Sequence, residues 1–353
     1  MAYTTIDDPS AYFQTTIYTG DGSTSHAITN GGNSDLQPDW LWIKSRSSTE
    51  QHFAFDSVRG QSKYIFPNAT NAEGTAGTGI LNSFNSDGFT LGNNDGVNAD
   101  SETFVAWNWK AGTTSGITTT NSTITPAGYS FNQTAGFSII KYPGNGTNDA
   151  KCPHGLGVAP QMIFIKDLDN AADWECYNEF NGNGKVFHLN KTNGADATSA
   201  RWRNTSPDAV NWTMGSTTAV NGSGRNYVAY CFAGKQGYSK FGSYTGNGNA
   251  DGTFIYTGFL PSFVMVKQTN ASGEGWHILD NKRSGVNGDM ERLLANSSNA
   301  ESNYAGNLDL LSNGFKTRIN DAGVNGSGAS YIYMAFAENP FVTGSSGVPA
   351  TAR

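Results

Sequence analysis

Ser330–Phe336 reads SYIYMAF, and two earlier stretches repeat its pattern, NYVAYCF at Asn226–Phe232 and TFVAWNW at Thr103–Trp109. Successive side chains of a strand point to opposite faces. Tyr331, Tyr333, Ala335 and Ala337 therefore share one face, and Ile332, Met334 and Phe336 the other. Both faces are apolar, so these strands are expected to be covered on both sides. Working outward, each copy is preceded by a Gly- and Asn-rich segment: GFTLGNNDGVNADSETF from Gly88, NWTMGSTTAVNGSGRNY from Asn211 and GFKTRINDAGVNGSGASY from Gly314. Asn-Gly and Asp-Gly are read there as hairpin residues able to take positive φ.

Three further landmarks recur upstream. Each copy opens with Tyr-x-Gly-x-Gly, at Tyr18–Gly22, Tyr142–Gly146 and Tyr244–Gly248. A strand ending in Lys44, Lys166 or Lys267 follows, and then HFAFD (His52–Asp56), WECYN (Trp174–Asn178) or WHILD (Trp276–Asp280). From opening Tyr to closing aromatic the separations are 91, 90 and 92 residues, and from Lys to the Asp or Asn they are 12, 12 and 13. Four landmarks in one order at nearly fixed spacing mark an internal repeat.

Short alternating strands between turn clusters predict an all-β chain of three tandem antiparallel β-sandwich or jelly-roll modules, each of about 100 residues. The division reads as an N-terminal arm (1–10), repeat 1 (11–112), a Thr/Ser-rich linker or added strand pair (113–135), repeat 2 (136–236), repeat 3 (237–343) and a C-terminal tail (344–353). Helix is scarce, and GDMERLLANSS around Leu293 is the best helical segment.

Composition sets outer limits. Gly and Pro, 43 and 11 of 353 residues, stay below the ~25–30% of low-complexity disorder, and 12% aromatics can build a core. The net charge of −7 and the lack of a long basic run argue against nucleic acid. No apolar run approaches the ~20 residues that span a bilayer, and MAYTTIDDPS is not a signal peptide. Cys152, Cys176 and Cys231 match no disulfide framework or metal spacing.

The chemistry of catalysis finds little support. No Gly-x-Ser-x-Gly elbow or P-loop is present, and the five histidines show no helical ligand pair. Asp56 and Asp280 share a repeat position that holds Asn178 in copy two, which suits a turn or cap residue better than a glycosidase carboxylate. Non-enzymatic function is expected, with no cofactor. Calcium could find ligands only in NNDGVNAD (Asn93–Asp100) or GNADG (Gly248–Gly252). Carbohydrate binding is the one site chemistry with a case, because sugars stack on Trp while amides and carboxylates bond their hydroxyls. Trp174 and Trp276, with Asn178 and Asp280, are the residues expected to carry it. The competing reading makes both tryptophans core or inter-sheet aromatics, with His52 in their place in copy one.

TTIDDPSAYFQTTIYTGDGS (Thr4–Ser23), LWIKSRS with HFAFDSVRG (Leu41–Gly60) and SYIYMAFAENPFV (Ser330–Val342) resemble tandem-repeat surface proteins of marine tailed bacteriophages. The resemblance implies a virion protein of tail-fibre, knob or capsid-decoration type, carrying concanavalin-like or jelly-roll modules. It implies other virion proteins as partners, contact with a host-surface glycan, a homo-oligomeric state and no catalytic residues. Synthesis in the host cytoplasm followed by life on the particle surface agrees with the missing signal peptide and disulfides.

Overall fold

The computed structural model describes residues 3–77, 79–283, 287, 290–304 and 307–343. It is all-β, and every strand pairing is antiparallel. The four landmark strands of each repeat form one main sheet in the order opening, closing, lysine, acidic. In repeat 1 these are Phe13–Thr19, Thr103–Trp109, Trp40–Ser45 and Phe53–Asp56. In repeat 2 they are Phe137–Pro143, Asn226–Phe232, Met162–Asp167 and Glu175–Asn178. Repeat 3 uses Ser239–Thr245, Ser330–Pro340, Phe259–Gln268 and Trp276–Asp280. A smaller sheet of two or three strands packs on each, making a β-sandwich.

The two-sided pattern of the closing strand now has a cause. Tyr227, Ala229 and Cys231 face the interior of their own sandwich, while Val228, Tyr230 and Phe232 face a second core. Phe104 and Ala106 oppose Val105, Trp107 and Trp109 in the same way, as do Tyr331, Tyr333 and Ala335 against Ile332, Met334 and Phe336. That second core belongs to all three repeats at once. Phe13 stacks on Phe336 at 4.9 Å, Trp40 on Tyr230 at 4.5 Å, and Phe232 meets Phe336 edge-on at 6.3 Å between ring centroids. Full burial of each such side chain contributes roughly 1.5–3 kcal/mol, so separating the repeats would expose a large, strongly stabilising apolar surface.

The Tyr-x-Gly-x-Gly turn is a packing device. At its first glycine, Gly20, Gly144 or Gly246, any Cβ would strike the backbone carbonyl of Ala99, Gly222 or Gly326. Its second glycine takes φ of +64°, +67° and +63° at Gly22, Gly146 and Gly248, which an L side chain resists. A buried asparagine from the pre-closing segment holds each turn: Oδ1 of Asn98, Asn221 and Asn325 accepts from the amides of Asp21, Asn145 and Asn247. These asparagines thus serve as buried clamps, whereas the sequence suggested positive-φ hairpin residues; none of the three adopts positive φ.

Other expectations change. Glu291–Leu294 is a strand paired with Trp276–Asp280, so the helical reading around Leu293 is corrected: with Leu293 in the shared core, packing overrides its helix-favouring composition. The α-helical turn that does form is Asp95–Asn98, capped by the Asn94 side chain. Within 113–135, Gly128–Asn132 adds an edge strand to the main sheet of repeat 2. The N-terminal segment reaches the junction of repeats 2 and 3, where the Tyr3 hydroxyl donates to Gly258 O at 2.6 Å and Thr4 Oγ1 to Gln236 O at 2.7 Å. The expected tail, 344–353, lies outside the described residues.

Candidate functional site

The repeat positions singled out from sequence lie where one repeat meets the next. At the aromatic position, Trp174 Nε1 of repeat 2 donates to Phe66 O of repeat 1 at 2.9 Å, and Trp276 Nε1 of repeat 3 donates to His188 O of repeat 2 at 3.0 Å. His52 of repeat 1 closes the circle, its Nε2 lying 3.0 Å from Ser297 O of repeat 3. His52 is in turn fixed by Trp42, whose indole N–H reaches its Nδ1 at 2.8 Å. Each repeat therefore grips the carbonyl of the preceding one, as if related by a threefold axis.

Two lysine contacts follow the same rule, while a set of backbone bonds runs the other way, each amide donating to a carbonyl of the following repeat. Glu73 N donates to Leu168 O, Ala195 N to Thr269 O and Glu301 N to Arg46 O, at 2.9, 2.9 and 2.7 Å. The accepting residue stands two places after Lys166, Lys267 and Lys44 in turn. Lys166 Nζ donates across the boundary to Thr70 O and Lys267 Nζ to Thr192 O, both at 3.1 Å. Lys44 stays within its own repeat, on Ser45 O and Ser48 O, and Arg46 makes a bidentate pair with Glu301 instead. Burial holds all three ammonium groups down to about 8.

The acidic position is an accepting end of the same rule, taking a donor from the following repeat. Asp56 Oδ2 of repeat 1 accepts from Tyr230 Oη of repeat 2 at 2.7 Å, and Asp280 Oδ2 of repeat 3 accepts from Trp107 Nε1 of repeat 1 at 3.1 Å. Each carboxylate also takes the Nε–H of an arginine three residues on, Arg59 or Arg283, whose side chains are fully buried. The donor sits two places before the closing aromatic, and repeat 3 has Met334 there, with no hydrogen to donate. Asn178 answers it in repeat 2, with Asn181 in place of the arginine. The exchange of Asp for Asn thus accompanies the loss of both the cation and the donor that a carboxylate would need.

Trp174, Trp276, Asn178 and Asp280 are consequently between 0 and 2% exposed. The structure brings them to the repeat boundaries, each Trp face turned into the shared core. A sugar ring has no path to those faces here. Asp56 and Asp280 do not flank a common cleft but hold separate ion pairs. Burial pushes the thiols of Cys152, Cys176 and Cys231 well above the usual range, so none is a ready thiolate. Among the described residues no cluster of three or more His, Cys, Asp or Glu could hold a metal, and no helix is long and apolar enough to cross a membrane. In the loops considered for calcium, Asp95 opens the helical turn and Asp251 pairs with Lys316.

Among the described residues, an open groove of about 710 Å³ runs along the opening strand of repeat 3, bordered by repeat 2. Phe254 and Tyr256, from the first strand of the repeat 3 small sheet, line it together with Phe180 of repeat 2. Lys240 crosses it, donating to Tyr256 O at 2.7 Å with its ammonium 5.2 Å from the centre of the Tyr256 ring. Sequence reasoning passed over these residues. Their signal was the alternation in Phe254–Tyr256, which puts two aromatics on one face with Ile255 on the other.

A family model described as a domain of unknown function (DUF7483) matches residues 8–340, and the chain belongs to that family. No curated protein and no solved structure matches it.

Proposed function

We propose, for a chain whose family match spans all three repeats as one unit, that it is a structural protein of a bacteriophage surface, in a tail fibre or other host-attachment appendage. It acts by assembly with other virion proteins and by weak contact with host-surface glycan, multiplied through a homo-oligomer on the particle. Weak sites on one particle gain through effective concentration. The observation that carries this reading is how the polar side chains at the repeat boundaries are used. The Asp–Arg pairs, the indoles, His52, Lys166 and Lys267 that could serve chemistry are buried and spent in holding the three sandwiches together. A body stiffened in this way, with an open aromatic groove on its outside, suits a particle component better than a catalyst.

The test is immunogold labelling of phage particles with antibody against this protein, read by electron microscopy. Label on the tail or its appendages is the expected result. Label confined to the capsid would favour a decoration protein, and particles without label would refute the reading.

A further inference from the structure

Among the described residues, five large apolar side chains are strongly exposed: Ile17, Val158, Phe180, Phe254 and Tyr256. The three aromatic ones, at 44, 44 and 48%, line a single groove. A chain that hides its eight tryptophans and leaves three rings open in one place is displaying those rings, since exposed apolar clusters mark interaction sites. Phe254 and Tyr256 stand two residues apart on one strand and so project to the same side.

The groove's charge narrows the ligand. Lys235 and Lys240 line it, and no Asp or Glu does. Neither lysine belongs to an ion pair among the described residues, in a protein whose net charge is −7. Two cations without a carboxylate partner, beside aromatic faces and the amide of Gln161, fit a ligand that carries both flat apolar faces and negative charge.

A peptide strand is the competing occupant, because in repeat 2 the equivalent edge is covered by Gly128–Asn132. In repeat 3 that edge is largely closed. Tyr238 O and Gly246 N pair with the closing strand, so the odd-numbered residues between them turn outward. Both backbone groups of Ser239 are taken by Lys235, Thr245 O accepts from Thr253 Oγ1, and Phe241 is 2% exposed. Ser243 alone is left open, which is too little for strand pairing.

We infer that this groove is a binding site for an acidic polysaccharide, whose sugar rings stack on Tyr256 and Phe254 while its carboxylate or sulfate groups pair with Lys240 and Lys235. The inference deepens the glycan-contact part of the proposed function and rests on it only for the source of the glycan. It is tested with the whole protein by biolayer interferometry against alginate oligosaccharides, dextran sulfate and neutral dextran. Binding to an acidic probe but not to neutral dextran is expected. The two acidic probes separate carboxylate from sulfate recognition. The Phe254→Ala/Tyr256→Ala double variant should lose at least about tenfold in affinity, and Lys240→Gln should lower both affinity and salt sensitivity. The double variant, at two exposed positions, should leave the melting temperature within about 1–2 °C of the parent, which separates lost binding from lost folding. Equal binding of neutral dextran, no binding of any probe, or undiminished binding by the double variant would overturn the site. So would displacement of alginate by a peptide of residues 126–133, which would establish strand docking instead. Unlabelled particles with a glycan-binding protein would remove the virion reading alone, and labelled particles with a protein that binds no probe would remove the groove alone.

Discussion

Asp280→Asn should be among the most damaging single-atom exchanges in this protein. Asp280 is fully buried, and its Oδ1 accepts from the amides of Lys282 and Arg283 at 3.1 and 3.0 Å. The other oxygen takes Arg283 Nε–H at 2.7 Å and Trp107 Nε1–H at 3.1 Å. In the variant, the amide oxygen can keep the two backbone bonds, which turns Nδ2 toward two donors. Arg283 then retains Ile278 O and Glu301, and Glu301 already carries Arg46 at 2.8 Å. Two guanidinium groups would share one carboxylate in a closed interface. Breaking one side of such a buried pair costs about 3–5 kcal/mol, a large part of the ~5–15 kcal/mol that typical domains possess. The double variant Asp280→Asn/Arg283→Met removes the stranded cation as well and should recover at least half of that loss, because an apolar replacement of a buried pair is often neutral. Urea unfolding at pH 7 of parent, both single variants and the double variant measures the coupling directly. If the double variant fell at or below the sum of the singles, the account of Asp280 and Arg283 as one buried unit would be refuted.

Three other outcomes follow from the geometry. Burial holds His52 at about 3 and His154 at about 4, below the unfolded value near 6.5, so the unfolded chain binds protons first as pH falls. Stability should therefore be full above pH 6.5 and be lost below it, by about 2 kcal/mol for each histidine at pH 5; an unchanged urea midpoint between pH 7 and 5 would contradict this. Trp174→Ala and Trp276→Ala should each cost about 3–5 kcal/mol while leaving polysaccharide binding intact at a temperature where the variants stay folded, and selective loss of binding would return these tryptophans to a ligand role. Residues 113–236 expressed alone should aggregate or bind a hydrophobic dye, because Phe137, Phe164, Trp174, Tyr230 and Phe232 would lose their cover; a monodisperse, dye-free fragment would show that repeat 2 does not need its neighbours.

Much of this fold could be read from the chain, because a repeat announces itself through spacing. Tyr18, Lys44, Asp56 and Trp109 recur in order, and the pairings of Trp40 with Asp56, Met162 with Asn178 and Phe263 with Asp280 keep one register throughout. Alternation along Tyr331–Ala337 also revealed that both faces are buried. It could not reveal what covers the second face, since period-2 patterning does not distinguish a neighbouring sheet of the same repeat from the back of another repeat. That gap is why Trp174 and Trp276 could be read as a sugar platform: a tryptophan beside polar loops looks the same whether its indole N–H meets a ligand or Phe66 O. The Asp56, Asn178 and Asp280 series held a usable signal, because Arg59 and Arg283 accompany the two aspartates and Asn181 the asparagine. The strand at Glu291–Leu294 was hidden by helix-favouring composition. Phe254 and Tyr256 escaped notice because exposure is a property of the assembled surface.

The circular arrangement of the repeats has a consequence for how the protein can change. In a ring of three separate identical subunits, any substitution appears three times, and every contact must tolerate all of its copies. Here one backbone joins the three positions, so each can drift alone: Met334 lacks a donor while Tyr230 and Trp107 keep theirs, and only one opening strand need border an aromatic groove. The ring also stays closed at any dilution, because its members never have to find one another. A chain built this way gains from that persistence, and from the freedom to let one position acquire a face of its own while all three share one core.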